Sequence, residues 1–337
     1  MKKEITYKES GVDIDRAVEA KNRIKRIVER FNIKTEGGIG GFGAIYPFKE
    51  SLIVSSVDGV GTKLKVAFLA GIHNTVGRDL VNHCVNDILV QGAKPLFFMD
   101  YIALYRMDPD LVEKIVEGIA EGCRENGCKL AGGETAEMPG FYREGEYDLV
   151  GFIVGFVERE NLLPKNNIRE GDLIFGLPST GLHTNGYSLA RKIIFEKNNL
   201  KIDTFVEEFN CTVGEELLKV HKSYLKSLEG ILGKNLIKAL AHITGGGFFD
   251  NIPRILPEGL KAVIKKESWD IPPIFKYLVR EGNLSEREAY RTFNMGIGMI
   301  GICDKESIEK IFSHFESIGE KGYLIGEIKR GKGVEIL

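Results

Sequence analysis

A short segment with the sequence DGVGTK, residues 58–63, combines residue types that bind phosphorylated ligands. It follows an apolar run of strand length, and open α/β sheets usually bind their ligands where strands end. Asp58 is suited to hold Mg²⁺, the two glycines can expose backbone amides to anionic oxygens, and Lys63 can supply a positive charge. A tight turn with a capping aspartate explains the same residues equally well, so both interpretations stay open for this segment alone.

The helix predicted at residues 76–90 carries an unusual polar face. Its apolar residues recur at helical spacing, while short polar side chains gather between them: Asp79, Asn82, His83, Asn86 and Asp87. A helix face in contact with water is usually rich in Lys and Glu, and this face has neither. We therefore predict an active-site helix, in which Asp87 is a second magnesium ligand paired with Asp58. An ordinary exposed face is the alternative.

A third acid follows two glycines in the sequence GGET, residues 132–135. The pattern predicts a glycine-rich turn that presents Glu134 and the hydroxyl of Thr135. Because Mg²⁺ prefers carboxylate and phosphate oxygens, Asp58, Asp87 and Glu134 are predicted to cluster around one or two Mg²⁺ ions bound to ATP. Any one of the three acids could instead be a surface residue.

Two histidines stand beside glycine-rich turns in the second half of the chain. His183 precedes a predicted helix, whose N-terminal end attracts anions. It could bind a substrate phosphate or move a proton, or it could simply cap the helix. His242 precedes three glycines and allows the same interpretations. Three further histidines, His73, His221 and His314, occur in ordinary helix or loop context and receive no role.

The glycine-rich stretch at residues 37–43 contains the spacing G-x-G-x-x-G through Gly38, Gly40 and Gly43. That motif binds dinucleotides only between a strand and a following helix. Here a helix precedes it and a strand follows it, so a dinucleotide site is disfavoured. A flexible linker is one alternative. A lid whose backbone amides fold over the phosphates of a nucleotide fits better.

The elements around these motifs alternate between helix and strand. An amphipathic helix is predicted at residues 13–31, strands and helices then interleave, and a long helix is predicted at 213–232. A polar stretch at residues 158–171 separates the two halves, and we place a domain boundary there. The pattern predicts an α/β or α+β protein with two domains.

Composition excludes several classes of protein. The chain has 337 residues with 46 basic and 48 acidic side chains, so its net charge of −2 gives no surplus for nucleic acid. Its longest apolar stretch, residues 149–157, is far below the roughly 20 residues of a membrane helix. The five cysteines are scattered, and zinc binding by Cys123 and Cys128 is disfavoured against reduced thiols. We expect a cytoplasmic protein without membrane or nucleic-acid partners.

Seven blocks lie in order along nearly the whole chain, with the sequences YKESGVDID, GGFGA, DGVGTKL, VNDILVQGAKPLFF, AGGETAEMPG, HTNGYSLARK and AHITGGGFFDNIPRILP. Together they resemble the family of phosphoribosylformylglycinamidine cyclo-ligases, also called aminoimidazole ribonucleotide synthetases. The fourth block also contains Asp87-x₄-Gly92-Ala93-x-Pro95, which resembles the signature of the wider superfamily.

The resemblance implies a two-domain α+β fold. Residues 1–160 would form an N-terminal domain that binds ATP and Mg²⁺ and pairs its sheet with that of a second copy in a homodimer. Residues 170–337 would form a C-terminal α/β domain with a mixed sheet. The implied reaction is the ATP-dependent cyclisation of formylglycinamidine ribonucleotide to 5-aminoimidazole ribonucleotide in purine biosynthesis, with ADP and phosphate released.

The resemblance also implies roles for individual residues. Catalysis would involve His183, His242 and Lys63. The nucleotide would be bound by Lys25, Gly40, Gly41, Gly43, Asp58, Asp87, Glu134 and Thr135, with Asp58, Asp87 and Glu134 holding the metal. The substrate would be bound by Gly59, Val60, Gly61, Thr62, Asn185, Gly245 and Gly246. On the residues alone, Lys25 could equally be an exposed charge of the first helix.

Three other functions compete with this one. The first is a sister kinase of the same superfamily that phosphorylates thiamine phosphate or selenide, which the GGETAEMPG and HTNGYSL blocks disfavour. The second is a catalytically silent nucleotide-binding module, which retention of three acids and two site histidines disfavours. The third is a dehydrogenase, suggested only by the G-x-G-x-x-G spacing.

Overall fold

The computed structural model describes residues 4–33, 35 and 40–337. In this part of the chain, the backbone builds a five-stranded sheet, a six-stranded sheet and a two-stranded pair. Gly37 and Gly38 of the predicted lid lie outside the described residues. No helix within the described part is both long and apolar enough to cross a membrane.

The five-stranded sheet and its helices occupy residues 14–158. The elements are α1 (Ile14–Phe31), β1 (Ala44–Phe48), β2 (Ser51–Gly59), α2 (Leu64–Ala70), α3 (Asn74–Leu89), β3 (Lys94–Leu104), α4 (Pro109–Glu125), β4 (Lys129–Glu137) and β5 (Tyr147–Glu158). The strand order is β1-β2-β5-β3-β4, antiparallel except between β3 and β4. Residues of β5 alternate between more and less buried, so only one face of the sheet is fully covered, and α3 packs on that face.

The six-stranded sheet belongs to the second half of the chain. The elements are β6 (Leu173–Pro178), α5 (Tyr187–Arg191), β7 (Phe205–Val206), β8 (Cys211–Thr212), α6 (Val213–Leu217), α7 (Leu225–Glu229), β9 (Ala239–His242), α8 (Gly247–Asn251), β10 (Leu260–Ile264), α9 (Pro273–Gly282), α10 (Glu286–Thr292), β11 (Ile297–Cys303), α11 (Ile308–Ser317), β12 (Tyr323–Arg330) and β13 (Gly333–Ile336). The order is β13-β10-β12-β6-β11-β9, and every residue of β11 is buried.

Helix α3 is buried on its polar side as well as on its apolar side. Apolar residues such as Leu80 pack towards the sheet, where Gly151 of β5 is needed because a Cβ there would lie 2.9 Å from Leu80 and 2.5 Å from the ring of Phe98. Asp79, Asn82, His83, Asn86 and Asp87 are buried too. Most of their hydrogen-bond partners lie in the second half of the chain or in β2, although Asp79 also pairs with Lys63 and Asn82 accepts from Asn126. The predicted polar face is therefore the contact between the two domains.

The long helix predicted at residues 213–232 is wrong. The structure has two short helices, α6 and α7, with an irregular segment at 218–224 between them. Side chains of α3 bind the backbone of this segment: Asp79 Oδ1 accepts from His221 N at 2.7 Å, and Asn82 Nδ2 donates to His221 O at 2.8 Å. Asn86 accepts from Tyr224 N at 2.9 Å. These tertiary hydrogen bonds replace the helical ones.

The turn predicted at residues 132–135 is also wrong, because these residues lie inside the edge strand β4. Gly133 pairs with Asp100 of β3, and a Cβ on Gly133 would lie 2.6 Å from the Asp100 carboxylate, so the glycine makes room for that side chain. The helix predicted at 13–31 is confirmed as α1, with Asp13 as its cap. The two-domain α+β architecture is likewise confirmed. Pairing of sheets between two copies stays a prediction.

Candidate active site

Four buried histidines meet where α3 contacts the second domain. His83 comes from α3, His183 from the loop after β6, His221 from segment 218–224 and His242 from the end of β9. The Nε2 atoms of His221 and His242 are 3.0 Å apart, and the rings of His183 and His221 stack with centroids 4.0 Å apart. The ring of His83 lies 5.1 Å from that of His242. We call these four residues the histidine cluster.

Asp58 joins one side of the histidine cluster at the end of β2. Its Oδ2 lies 3.0 Å from His83 Nε2, and its Oδ1 accepts from Gly59 N at 2.7 Å. Burial disfavours both charges, but each group stabilises the other. As a result, the pKa of Asp58 is lowered to about 2 and the pKa of His83 is raised to about 9. At neutral pH the two therefore form an ion pair.

Asp87 joins the other side of the histidine cluster, one turn further along α3. Its Oδ1 lies 2.8 Å from His242 Nδ1, and its Oδ2 accepts from the hydroxyl of Ser56 at 3.2 Å. Burial lowers the pKa of His242 although the Asp87 carboxylate opposes the shift. A neutral His242 can still donate its Nδ1–H to Asp87, which orients the carboxylate.

A continuous hydrogen-bonded chain connects the two carboxylates through Thr184. Its hydroxyl lies 2.8 Å from His83 Nδ1 and 3.3 Å from His221 Nδ1. One arrangement of protons satisfies the five links of this chain, and in it the Asn86 amide nitrogen, 3.2 Å from His221 Nε2, makes its hydrogen bond to Lys222 O instead. Protonated His83 donates to Asp58 and Thr184, Thr184 donates to His221, His221 donates to His242, and His242 donates to Asp87. Burial lowers the pKa of His221 well below its usual value, which fits its neutral form in this arrangement.

His183 stands in a strained position beside this chain. Its φ is +61°, a left-handed conformation that is uncommon for a residue with a side chain. Its Nε2 accepts from Thr180 N at 3.2 Å, whereas its buried Nδ1 has no hydrogen-bond partner among the described residues. Burial lowers the pKa of His183 well below its usual value. Such strain and an unsatisfied buried atom are more frequent at functional sites than elsewhere.

Lys63 does not face a ligand, in contrast to the expectation from the sequence. Its side chain is completely buried, with Nζ 2.7 Å from Asp79 Oδ2 and donating to Lys219 O at 2.8 Å. Both of these partners are protein groups of the domain contact. We therefore correct its assignment from a catalytic residue to one that positions segment 218–224.

Glu134 and Thr135 do not join the other acids within one chain. Asp58 pairs with Gly151, Gly151 with Asp100, and Asp100 with Gly133. Glu134 therefore lies three strand spacings from Asp58, or about 14 Å. Both Glu134 and Thr135 are exposed on the edge strand. The predicted cluster of three acids is reduced to Asp58 and Asp87 in a single copy.

The predicted substrate residues are distributed between the segment after β2, the loop before α5 and the start of α8. Residues 59–62 pass beside α5, with Thr62 Oγ1 2.9 Å from Ser188 Oγ. Val60 is fully buried, and Gly61 adopts a φ of +60°. Two further predicted residues, Asn185 and Gly245, line a groove of about 540 Å³ beside the N-terminal half of α1. Gly246 has a φ of +94° at the start of α8.

The described part of the glycine-rich stretch borders the same region. Gly40 lines the groove, and Gly40, Gly41 and Gly43 line a neighbouring opening of about 380 Å³. A Cβ on Gly43 would lie 2.8 Å from Gln91 Oε1 and 2.9 Å from Ser55 O, so glycine is required there. Lys25 is exposed on α1, and Lys21 one turn earlier lines the groove.

Two residues that the sequence interpretation does not include are central here. His221 is the middle of the hydrogen-bonded chain, and Thr184 connects it to His83. The signal that could have indicated His221 is the polar face of α3, because five buried polar side chains need partners from elsewhere in the chain. Nothing in the local sequence marks Thr184 beyond its place in the HTNG block.

The donor types distinguish the possible metal sites. Among the described residues, two groups of side chains come close enough to share an ion: His183 with His221 and His242, and Asp87 with His83 and His242. Mg²⁺ prefers oxygen ligands, so the all-nitrogen group does not fit it. The carboxylates of Asp58 and Asp87 fit Mg²⁺, and the Asp58 side chain is 43% exposed and therefore open to a ligand.

Comparison with known proteins extends over nearly the whole chain. Residues 41–157 match the family model for AIR synthase related protein, N-terminal domain, and residues 169–337 match the model for the C-terminal domain. The phosphoribosylformylglycinamidine cyclo-ligase of Thermoanaerobacter pseudethanolicus is 52% identical, with 99% of this chain and 100% of the relative covered. The enzyme of that name from Alkaliphilus oremlandii is 49% identical, with 99% of both covered.

The chain belongs to the phosphoribosylformylglycinamidine cyclo-ligase family. Its fold also resembles more distant solved structures. Thiamine monophosphate kinase from Aquifex aeolicus superposes with a TM-score of 0.65 at 17% identity, covering 93% of this chain and 94% of that one. Phosphoribosylformylglycinamidine synthase II from Thermotoga maritima gives 0.62 at 13% identity, covering 93% and 47%. These two likenesses concern the fold alone.

The ion pair of Asp58 and His83 predicts a pH-dependent stability in the metal-free protein. The pKa of His83 is raised to about 9 in the folded state. Its contribution to the free energy of unfolding is therefore complete below the pKa of the unfolded chain, 6.5, and disappears as the pH rises through 9. The difference in unfolding free energy between wild type and His83→Gln should therefore shrink between pH 6.5 and 9, measured by urea denaturation with a chelator present.

His73→Gln is the matched control for this experiment. Burial, together with Lys114, lowers the pKa of His73, so this residue is neutral in both states above about pH 7.5 and its substitution should produce no slope there. A wild-type minus His83→Gln difference that is flat across the same range would show that His83 is not held in its charged form by Asp58.

Proposed function

We propose that this protein catalyses the ATP-dependent cyclisation of formylglycinamidine ribonucleotide to 5-aminoimidazole ribonucleotide, with release of ADP and phosphate. The observation that carries the proposal is the pair of carboxylates, Asp58 and Asp87, held by His83 and His242 in a chain of this family. The related enzymes match this chain over nearly their full length. Their name, phosphoribosylformylglycinamidine cyclo-ligase, specifies this class of reaction.

The reaction needs an oxygen of the substrate to become a good leaving group. ATP transfers its terminal phosphoryl group to the formamide oxygen, and ADP leaves. The amidine nitrogen of the same molecule then attacks the activated carbon, the C–O bond breaks, phosphate departs and one proton is released from nitrogen. Because nucleophile and carbon belong to one molecule, orientation in the groove can contribute about 7–11 kcal/mol in the best-aligned cases.

The residues of the chain supply binding, orientation and proton transfer. Asp58 and Asp87 would hold Mg²⁺, which when bound neutralises charge on the triphosphate. His83 keeps the Asp58 carboxylate ionised, and the hydrogen bonds from His83 and His242 orient the two carboxylates. We assign proton transfer to His183 and His242. Since both rings are buried, they act within the histidine cluster rather than in contact with solvent.

The remaining site assignments follow from the same proposal. Residues 59–62, Asn185, Gly245 and Gly246 would contact the substrate. Lys25, the glycines of residues 40–43 and Thr135 would contact the nucleotide. The N-terminal domain of residues 1–160 would bind ATP, and the C-terminal domain of residues 170–337 would complete the groove. All five cysteines are unpaired, which suits the reducing environment of the cytoplasm.

A homodimer is part of the proposal because the open face of the first sheet is apolar. Val57, Phe152 and Met99 lie side by side on neighbouring strands and are 61%, 38% and 39% exposed. A monomer rarely leaves such a patch in water. A second copy covering this face would also place its own residues beside Glu134.

Sedimentation velocity should show a dimer that Val57→Lys weakens, and a monomeric wild type would refute the proposed homodimer.

A turnover assay tests the proposed reaction. With ATP, Mg²⁺ and formylglycinamidine ribonucleotide, one ADP should form for each 5-aminoimidazole ribonucleotide, which is measured by diazotisation of its amine. ADP should not form without the substrate, with a chelator, or with thiamine phosphate instead. Asp87→Asn should lower kcat by about 10²–10³-fold because one preorganised charge is lost at the developing transition state.

Asp110→Asn is the matched control, because Asp110 is an exposed acid at the start of α4. Thermal unfolding would confirm that both variants are folded. ADP formation at the same rate without formylglycinamidine ribonucleotide, or a wild-type kcat in Asp87→Asn, would contradict the proposal.

A further inference from the structure

The groove beside α1 contains an arginine that belongs neither to the pair of carboxylates nor to the histidine cluster. Arg254 follows α8 in a short helical turn and lines the groove together with Lys21, Asn185 and Gly245. Its side chain is exposed, and it forms no ion pair with any described residue. The neighbouring acid, Asp250, instead lies 3.9 Å from Arg291 Nε.

Two contacts hold the Arg254 guanidinium in place. Its Nε donates to the backbone oxygen of Asp250 at 3.2 Å, and its carbon centre lies 4.9 Å from the ring centroid of Phe42. The Nε–H group of Arg254 is therefore used by Asp250 O, and one face of the guanidinium is covered by the Phe42 ring. The two terminal nitrogens are left to donate in the plane of the guanidinium, which is the geometry that binds two oxygens of a phosphate.

Phe42 connects this arginine to the carboxylates of the active site. The Ser56 hydroxyl lies 3.2 Å from Phe42 O and 3.2 Å from Asp87 Oδ2. Gln91 Nε2 donates to Gly43 O at 3.1 Å. The segment that carries the stacking ring is thus attached to α3 and to the residues just after it, so Arg254 is held at a fixed place in the lining of the groove.

We propose that Arg254, with Lys21 and Asn185, binds the 5′-phosphate of the ribonucleotide substrate. This inference rests on the proposed function, in which Asp58 and Asp87 bind the triphosphate of ATP through Mg²⁺. The reaction has one other phosphate, the monoester of the substrate, and the groove offers a cation for it. The groove volume of about 540 Å³ also lies within the usual range of small-molecule sites.

Binding of ribose 5-phosphate tests the inference without requiring turnover. Isothermal titration of the full-length protein at low salt should show that Arg254→Met weakens ribose 5-phosphate binding by about 10- to 100-fold, the effect of losing charge-assisted hydrogen bonds. Arg254→Lys should recover part of the affinity, because it keeps the charge and loses the paired donors. Uncharged ribose should bind no differently to any of these proteins.

Arg287→Met is the matched control. The Arg287 guanidinium also stacks on an aromatic ring, that of Phe249 at 5.3 Å, but Arg287 does not line the groove. Its substitution removes the same charge and should leave ribose 5-phosphate affinity unchanged. Unfolding curves would verify that each variant is folded.

Steady-state kinetics separates the two phosphates of the reaction. Arg254→Met should raise KM for formylglycinamidine ribonucleotide by about 10- to 100-fold and leave KM for ATP unchanged. A rise confined to KM for ATP, or ribose 5-phosphate affinity equal to wild type, would overturn the inference. If no cyclisation occurs but ribose 5-phosphate binding depends on Arg254, the proposed function fails and the phosphate site stands.

Discussion

Two opposite charges of the first domain, both completely removed from water, anchor the segment of the second domain that carries His221. The Lys63 ammonium and the Asp79 carboxylate lie 2.7 Å apart, and both side chains have no exposed surface. Burial lowers the pKa of Lys63 and raises that of Asp79, although each partner opposes the shift of the other. Such a pair adds little net stability, but removal of one partner costs about 3–5 kcal/mol. Because both members also bind the backbone of segment 218–224 in the second domain, the pair favours one arrangement of the two domains over others.

The arrangement fixed by this pair is the one that assembles the site. Lys63 and Asp79 both bind the backbone of segment 218–224, and this segment carries His221 into contact with His242. Asp58 and Asp87 form the two ends of the same hydrogen-bonded chain. Because each link of that chain is partnered, the carboxylates are oriented before any ligand arrives, which is the condition for electrostatic catalysis without reorganisation.

Much of this arrangement could be predicted from the sequence, for physical reasons that differ between elements. Helices α1 and α3 and strand β2 follow from periodicity and capping. The polar face of α3 indicates a site because Asn, Asp and His are unusual on a solvated helix. Residues such as Asp58, Asp87, His183 and His242 stand beside or near glycines, where ligands can approach the backbone.

The remaining features depend on contacts between residues far apart in the chain. The break between α6 and α7 exists because Asp79, Asn82 and Asn86 bind its backbone, and no local pattern indicates those partners. The sequence places Lys63 beside a ligand because its burial against Asp79 is visible only in three dimensions. It places Glu134 in a turn because glycines favour turns, whereas in the structure the two glycines before Glu134 are part of the edge strand β4.

A double-mutant cycle on Lys63 and Asp79 tests the central claim most directly. Lys63→Met, Asp79→Asn and the double variant would be compared with wild type by urea unfolding. Asn at position 79 keeps an acceptor for His221 N. Each single change should cost about 3 kcal/mol or more, and the double variant should lose clearly less than the sum, because it leaves no unpaired buried charge. Additivity within about 0.5 kcal/mol would contradict the claim that Lys63 and Asp79 act as one coupled, buried pair that anchors segment 218–224.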